Sequence, residues 1–580
     1  MQLVNYESLK EELKADEQAD FRYQERRHSQ WTENYQLFRD KVIPNRLTQR
    51  QSINVPFIKG IIKTVMANID EFPDIEFEEL DNDKDKEIVV NELWKDFVIA
   101  DKLEIKDIVD KKQNLLYGLS WHKFNIVSGR IVSEIKEPFD ILIDRYSDPA
   151  DINTSNHLIE LGIYRTLSAL RSNPMYDQAA VTRLANAYAT KSGLVTAEEV
   201  TRQIQAKNER MELMGAPDVA LPVLGQTWFE LKVHLKKVYD LSDQTEHWHV
   251  IIMADSEIIL AKPLLTLIGL DELNYVKWSD DPERLDQYPD GTADIARTTN
   301  KLLNSMISSI AENRIMRNMG MNYYDSKMEG FNPQTYEPIP GGWYGMPVPD
   351  GKHIEDVIMR VDIPDLSDSL DEMEYVKRLV ETAVAANTTV QGGTEQSKVT
   401  LGEVELALSA AKERISSIAK FYMLAMKDKG TLWSKMQNAN ADKLDSVKLF
   451  KKSHKGNYFS KEVTGKDYKS DAGYSCRPVS SAERQAKGSK DLQNLNAAKQ
   501  FFPNNPPLDK LIGKKLLEFT DANPDEIKQV LEYQEQSAQS GLMPEGSPDA
   551  TGASSQPENT LAAPMPPPPL TPVQNAPQIA

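Results

Sequence analysis

The sequence predicts a mixed α+β fold in which helix predominates. Three observations lead there. Apolar residues recur at helical spacing through most of the first 117 residues and again from 292 to 437. Short alternating segments, the pattern of half-buried strands, cluster near 121–144 and 230–260. The composition, 40% apolar and 27% charged over 580 residues, is that of an ordinary globular chain with room for several domains.

The first helix runs from Tyr6 to about Lys41, anchored by Leu9, Leu13, Phe21, Trp31, Tyr35 and Phe38, and Pro44 ends it. A second, from about Val55 to Glu71, carries Ile58, Ile61, Ile62, Val65, Met66 and Ile69 before Pro73 stops it. Helices near Lys84–Phe97 and Ile105–Tyr117 lead to strands at Trp121–Val127, Arg130–Glu134 and Asp140–Asp144. The stretch Leu167–Met214 returns to helix. Then Glu230–Tyr239 and His247–Leu260 alternate as a hairpin would, across the turn Asp240–Thr245.

A helix from Thr292 to about Asn318 places Ile295, Leu302, Leu303, Met306, Ile307 and Ile310 in one stripe. The insert 320–364 follows, rich in Pro, Gly and Tyr. The helix Ser367–Ala386 has a comparable stripe of Leu370, Met373, Val376, Val380 and Val384, with Leu366 just before it. After the polar loop NTTVQGGTEQSKVT (387–400), a long helix runs from Leu401 to about Gln437. Two striped helices make an ordinary hairpin, but helix–helix connections are usually short, and an insert of this length argues for a unit with its own role. Asp445–Arg477 reads as strand and loop, and Ser481–Phe502 and Leu508–Gln539 as helix. From Gly541 onward a quarter of the residues are proline, a composition too poor in apolar area to order itself. The run Pro566–Pro569 reads as a spacer or a polyproline ligand.

The net charge is −20, from 88 acidic and 68 basic residues. A protein that grips DNA through its phosphates carries a basic footprint, and this chain does not. Acidity serves solubility, and it also suits a surface that meets DNA without holding it. Cys476 is the only cysteine, so no intrachain disulfide forms and an intracellular origin is expected. The N-terminus is charged from Glu7 and lacks the apolar core of a signal peptide, and no window approaches the roughly 20 apolar residues of a membrane span.

Catalytic motifs do not emerge. A phosphate-binding loop needs Gly directly before Lys and then Ser or Thr; Gly393–Val399 places Ser before Lys398 and Val after it. The Gly-Lys pairs at 351, 465 and 513 fail likewise, so no nucleotide-binding motif is present. His247 and His249 share one strand face, as surface residues or as two ligands of an incomplete metal site. Asp280 and Asp281 before Pro282 read as a turn. Lys448, Lys451, Lys452, Lys455 and Lys461 form the densest basic run, a solvated face or a contact for DNA or an acidic partner. No cofactor or metal is expected.

Several segments, in order, resemble the portal family of short-tailed bacteriophages. They are WTENYQLFRDK (31–41) with INVPFIKGIIKTVMANIDEFPDIEF (53–77), then NLLYGLSWHKFNIVSGRIVSEIKEPFDILIDRYSDPADI (114–152), whose turn is carried by Pro138, Asp144, Asp148 and Pro149 at wider spacing than the family pattern. HLIELGIYRTLSAL (157–170), TLGEVELALSAA (400–411), YSCRPVSSAERQAKGSKDLQNL (474–495) and ANPDEIKQVLEYQEQ (522–536) follow. The helical segment near Met175–Met214 is a departure.

The resemblance implies a portal-type subunit. Its parts would be a wing with N-terminal helices (1–290), a first stem helix (291–319), a clip (320–364), a second stem helix (365–386), a tunnel loop (387–400), a long wing helix with strands (401–480), crown helices (481–540) and a disordered tail (541–580). It implies a ring, a dodecamer in the family, at one capsid vertex of the virion, assembled in the host cytoplasm, and no enzymatic activity. The ring would conduct double-stranded DNA without sequence specificity. It would contact the major capsid protein and scaffold, and dock the terminase large subunit and later tail adaptor proteins. Tyr323, Tyr324, Phe331, Tyr336, Trp343 and Tyr344 are the candidate docking aromatics. Gln391, Gly392, Gly393, Gln396 and Lys398 are the candidate channel residues, the glycines supplying backbone freedom. The alternatives are another head–tail adaptor of a virion and an enzyme acting on nucleic acid.

Overall fold

The computed structural model describes residues 6–41, 53–70, 72–190, 211–212, 228–240, 244–255, 257–279, 281–282, 286–319, 321–324, 358–361, 369–383, 401–452 and 458–479, with isolated positions at 348, 350, 351, 353 and 512. The chain divides into two compact units, Met1–Asp491 and Leu492–Ala580, and every element below belongs to the first. The class is mixed α/β, with helix outweighing strand. Among the described residues no helix is long and apolar enough to cross a membrane.

Helix α1 (Tyr6–Phe38) and α2 (Phe57–Asn68) precede strand β1 (Asp74–Glu79). Next come α3 (Lys84–Ala100) and α4 (Leu103–Tyr117). Asp83 caps α3 by accepting from the backbone N–H groups of Asp85 and Lys86. Gly118 ends α4 at φ 82°, where a Cβ would collide with the Pro289 carbonyl oxygen; only glycine lets the two chain segments approach so closely.

Strands β2 (Ser120–Val127) and β3 (Arg130–Lys136) form a hairpin, and β9 (Tyr275–Trp278) joins the other edge of β2. The second sheet is an antiparallel meander of β4 (Ile141–Ile143), β5 (His157–Thr166), β6 (Trp228–Asp240), β7 (Thr245–Ala254) and β8 (Glu257–Pro263). Two local expectations need correction. His247–Leu260 is not one strand but parts of β7 and β8, separated where Asp255 takes φ 53°, a left-handed conformation that Asp tolerates better than most residues. Leu167–Met214 is not one helix: α5 (Leu167–Ser172) stops at Asn173, which Pro174 holds in the extended region, and α6 spans Gln178–Thr190.

A short α7 (Leu264–Ile268) precedes β9, and α8 (Thr292–Met319) follows it. Strands β10 (Met321–Tyr324) and β11 (Ile358–Val361) pair antiparallel, so the two ends of the insert meet at its base. Then come α9 (Ser369–Ala383), the long α10 (Leu401–Ala439), the hairpin β12 (Val447–Lys452) and β13 (Tyr458–Val463), and β14 (Tyr474–Val479), which returns to pair with β1. The expected helices Ser481–Phe502 and Leu508–Gln539 and the tail from Gly541 lie outside the described residues, position 512 excepted.

A main core joins most of these elements, and a smaller one packs Leu170 of α5 and Val181 and Leu184 of α6 on Phe229, Leu231 and Ile259. Trp94, Trp433 and Phe77 pack together where α3, α10 and β1 meet, while Trp31 packs on Phe139 and Tyr288. Helix α1 is held differently along its length. Its C-terminal half buries Trp31 and Leu37 in the core. Its N-terminal half rests Leu9 and Leu13 on Ile251, Met253 and Ile258, and otherwise holds the meander by charge. Lys236 meets Glu12 and Asp16, both at 2.6 Å, Lys232 meets Glu17 at 2.5 Å, and His157 meets Asp20 at 2.5 Å.

Candidate functional site

The region expected to carry function runs from α8 to α10. Its first helix departs from the simple stripe. The buried positions of α8 are Thr292, Ala293, Ala296, Asn300, Leu303, Ser308 and Asn313, whereas Ile295 and Leu302 are exposed. The reason is hydrogen bonding. Asn300 accepts from the backbone N–H of Ile58 (3.1 Å), Asn304 from that of Val55 (2.8 Å) and Ser308 from that of Ile53 (3.1 Å). Three side chains one turn apart thus satisfy a free donor in the first turn of α2, at Ile58, and two in the segment leading into it, at Ile53 and Val55. Turning that polar row inward leaves part of the apolar stripe facing outward.

Helix α9 packs against α8. Its Met373, Val376 and Val380 lean on the core, while Leu370, Tyr375 and Leu379 are exposed. An open groove between the two helices is lined by Leu302, Met306, Asp371, Glu372, Tyr375 and Val376. Both helices therefore show apolar side chains on the outside. A second exposed apolar stripe lies on α4 at Ile105, Ile108 and Val109, with Ile99 nearby in sequence on α3.

The long helix α10 is fastened to α4 by charge. Lys429 lies 2.5 Å from Asp110 and 3.7 Å from Asp107, and Lys111 lies 2.8 Å from Asp107. The Tyr422 hydroxyl donates to Asp107 at 2.8 Å, and Ser120 donates to Asp110. All four charged groups are almost fully buried, two of each sign, so the cluster is neutral overall. Burial pulls the Lys429 ammonium down, but Asp110 and Asp107 outweigh it and the net shift is upward. His122 beside the cluster is held well below its ordinary value by burial, with Lys429 and Lys106 adding to the effect. Such a cluster fixes geometry, because removing one member strands a buried charge at a cost of about 3–5 kcal/mol.

A similar node joins the two sheets. Burial pushes the Glu160 carboxyl up, but Lys123 and Lys136, at 2.5 and 2.7 Å, outweigh it and leave it at about 2. Tyr275 donates to the same carboxylate at 2.6 Å. These groups are consumed by one another, which marks them as structural.

Tyr323 and Tyr324 fall on β10, opposite Met359 and Ile358. Phe331, Tyr336, Trp343 and Tyr344, and the loop residues Gln391, Gly392, Gly393, Gln396 and Lys398, lie outside the described residues. The His247 ring is engaged by Thr245 and Asp271, each at 2.7 Å, and His249 is buried. Among the described residues no group of three or more His, Cys, Asp or Glu is arranged to hold a metal ion. Cys476 is buried beside Gly430, and burial pushes its thiol up to about 12, far from a nucleophile's range. Asp281 lies in a bend, and Asp280 is outside the described residues. Lys448 is exposed on β12, opposite Glu462.

Sequence reasoning missed the Asn300, Asn304 and Ser308 row, although its i, i+4, i+8 spacing was visible. It also missed the Lys429 anchor, whose partners sit about 320 positions away and leave no local signal. No protein-family model matches the chain, and no curated protein matches it.

Proposed function

We propose that the chain is the subunit of a portal-type ring at one capsid vertex. In this reading the ring is the channel through which double-stranded DNA is packaged and ejected, and it docks the terminase large subunit and then tail adaptor proteins. The role is mechanical rather than enzymatic. Symmetry and surface do the work: copies pack through their helices, the insert 320–364 meets partners, and the loop 387–400 faces the DNA.

One observation carries the reading. Two adjacent helices, α8 and α9, present apolar residues outward on the faces that do not pack on the subunit's own core. Exposed apolar area of that kind marks an interaction surface. A second copy is the occupant this reading predicts, because a ring built around paired helices buries the same faces in every subunit. The order of elements supports it as well. Helix, an insert closed at its base by the β10–β11 pair, helix and long helix follow one another as the resemblance expects. The acidic balance of the chain suits a passage that must not hold DNA.

The test is association of a charged variant. Leu302→Asp with Tyr375→Asp places two carboxylates on the outward faces and leaves the buried faces untouched. In sedimentation velocity the unsubstituted protein should run as a large closed oligomer and the variant as a folded monomer. An oligomer unchanged by both substitutions would remove these faces from the interface.

A further inference from the structure

Strand β9 carries a lysine that the buried charge clusters do not use. Lys277 lines a cavity of about 280 Å³ bounded by the turn Pro149–Asn153, strand β9 and the C-terminal third of α10. That volume holds several water-sized molecules, so the site is roomy, and it opens to solvent past Ala150 and Asp151. The Lys277 ammonium donates to Gln287 Oε1 at 2.9 Å. Gln287 is locked in turn, its amide donating to the Ser147 carbonyl at 2.6 Å and the Ser147 hydroxyl at 3.1 Å. Its oxygen is therefore held toward the lysine.

The contrast with the other covered lysines is chemical. Lys111, Lys123, Lys136, Lys236 and Lys429 each sit within 2.8 Å of a carboxylate. Among the described residues no carboxylate lies within ion-pair distance of Lys277, whose one mapped partner is the neutral Gln287 amide. Burial pulls its ammonium down to about 8, with Asp286 and Asp148 pulling back from farther away. A desolvated lysine without a counter-ion, on the wall of a cavity, is the arrangement that turns an amine into a nucleophile. The rest of the wall narrows the reagent. Asp151, Glu272 and Asp428 face the same space, with Lys435 paired to Glu272 at 2.6 Å, so an anionic reagent is disfavoured.

We infer that Lys277 is an acylation site, its side chain taking a small acyl group from an uncharged thioester that enters this cavity. The Nζ lone pair attacks the thioester carbonyl carbon, a C–N bond forms and the C–S bond breaks. The sulfur leaves as thiolate and takes up the proton that the nitrogen sheds. The product amide keeps one N–H for Gln287 Oε1 and carries no charge. Acylation thus removes the burial penalty of the ammonium while preserving its hydrogen bond.

The experiment treats the full folded chain at pH 8 with S-acetyl-N-acetylcysteamine and follows each lysine by peptide mass spectrometry. Lys84 and Lys469 serve as references, since both are exposed and each is raised by a carboxylate, Glu87 and Asp442. At pH 8 an ordinary lysine is less than about 1% free amine, against about half for a group titrating near 8. Partial cover by the cavity offsets some of that advantage. Lys277 should acetylate about tenfold faster than the references, with a rate that levels off above pH 8 while theirs keeps rising. Acetylation of Lys277 no faster than Lys84 and Lys469, or only after unfolding in urea, would overturn the assignment.

Discussion

His234 lies on the same face of β6 as Lys232 and Lys236, which hold the N-terminal half of α1, and it is almost fully buried. Neither ring nitrogen has a hydrogen-bond partner among the described residues. Burial, with Lys232, His157 and Lys236 adding to it, holds its pKa at about 3 against an ordinary 6.5. Because the folded value is depressed, the unfolded chain binds the proton first as pH falls. The contribution to stability is whole above about pH 6.5 and is lost progressively toward pH 3. Each pH unit inside that window is worth about 1.4 kcal/mol, so the loss at pH 5 is about 2 kcal/mol. His234→Leu keeps an apolar group of similar size and removes the titration. At pH 7.5 the variant should stay within about 1 kcal/mol of the parent, since no hydrogen bond is broken. At pH 5 it should be the more stable of the two by about 2 kcal/mol. The assay is urea unfolding of both proteins at the two pH values, where titration of the other groups largely cancels in the comparison. Identical acid sensitivity in the two proteins would refute the reasoning.

Further outcomes follow from the same structure. Lys429→Met leaves Asp110 without its buried counter-ion, while Asp107 keeps Lys111, and should cost about 3–5 kcal/mol in chemical unfolding. Combining it with Asp110→Asn should recover part of that loss; additive losses would show that the pair does not interact. Asn304→Ala strands the Val55 N–H and should cost about 1–3 kcal/mol, with faster amide exchange at Val55, just before α2, as the local signature. His157 behaves oppositely to His234. Burial lowers its pKa, but the hydrogen bond and charge of Asp20, with Asp16 and Asp144, outweigh that and raise it. Its contribution is therefore present below pH 6.5 and lost as pH rises through the raised value, so His157→Gln should flatten the alkaline limb of stability.

The helical skeleton was legible because its periodicity is local. The reading of α3 and α4 differs from the structure by no more than three residues at any end, whereas Pro174, which divides α5 from α6, is passed over in reading Leu167–Met214 as helix throughout. What did not show was non-local pairing. Strand β1 finds its partner in β14, some four hundred positions later, and β9 joins β2 across 150 residues; no pattern in Asp74–Glu79 or Tyr275–Trp278 names the other strand. The α8 stripe shows a different limit. Ile295 and Leu302 look like core by spacing, but hydrogen bonding by Asn300, Asn304 and Ser308 outranked apolar burial, and that depends on backbone donors at Ile53, Val55 and Ile58, some 240 residues earlier in the chain. Lys277 stands out only once the cavity and the missing counter-ion are both seen.

The central claim is that copies of this chain close into a ring around a passage wide enough for duplex DNA. Electron microscopy of the purified, full-length protein tests it most directly. End-on views should show closed rings with rotational symmetry and a central hole of about duplex width, and side views a narrow end built from α8, α9 and the insert between them. Uniform monomers or compact dimers without a channel, at concentrations where the protein is well folded, would contradict it.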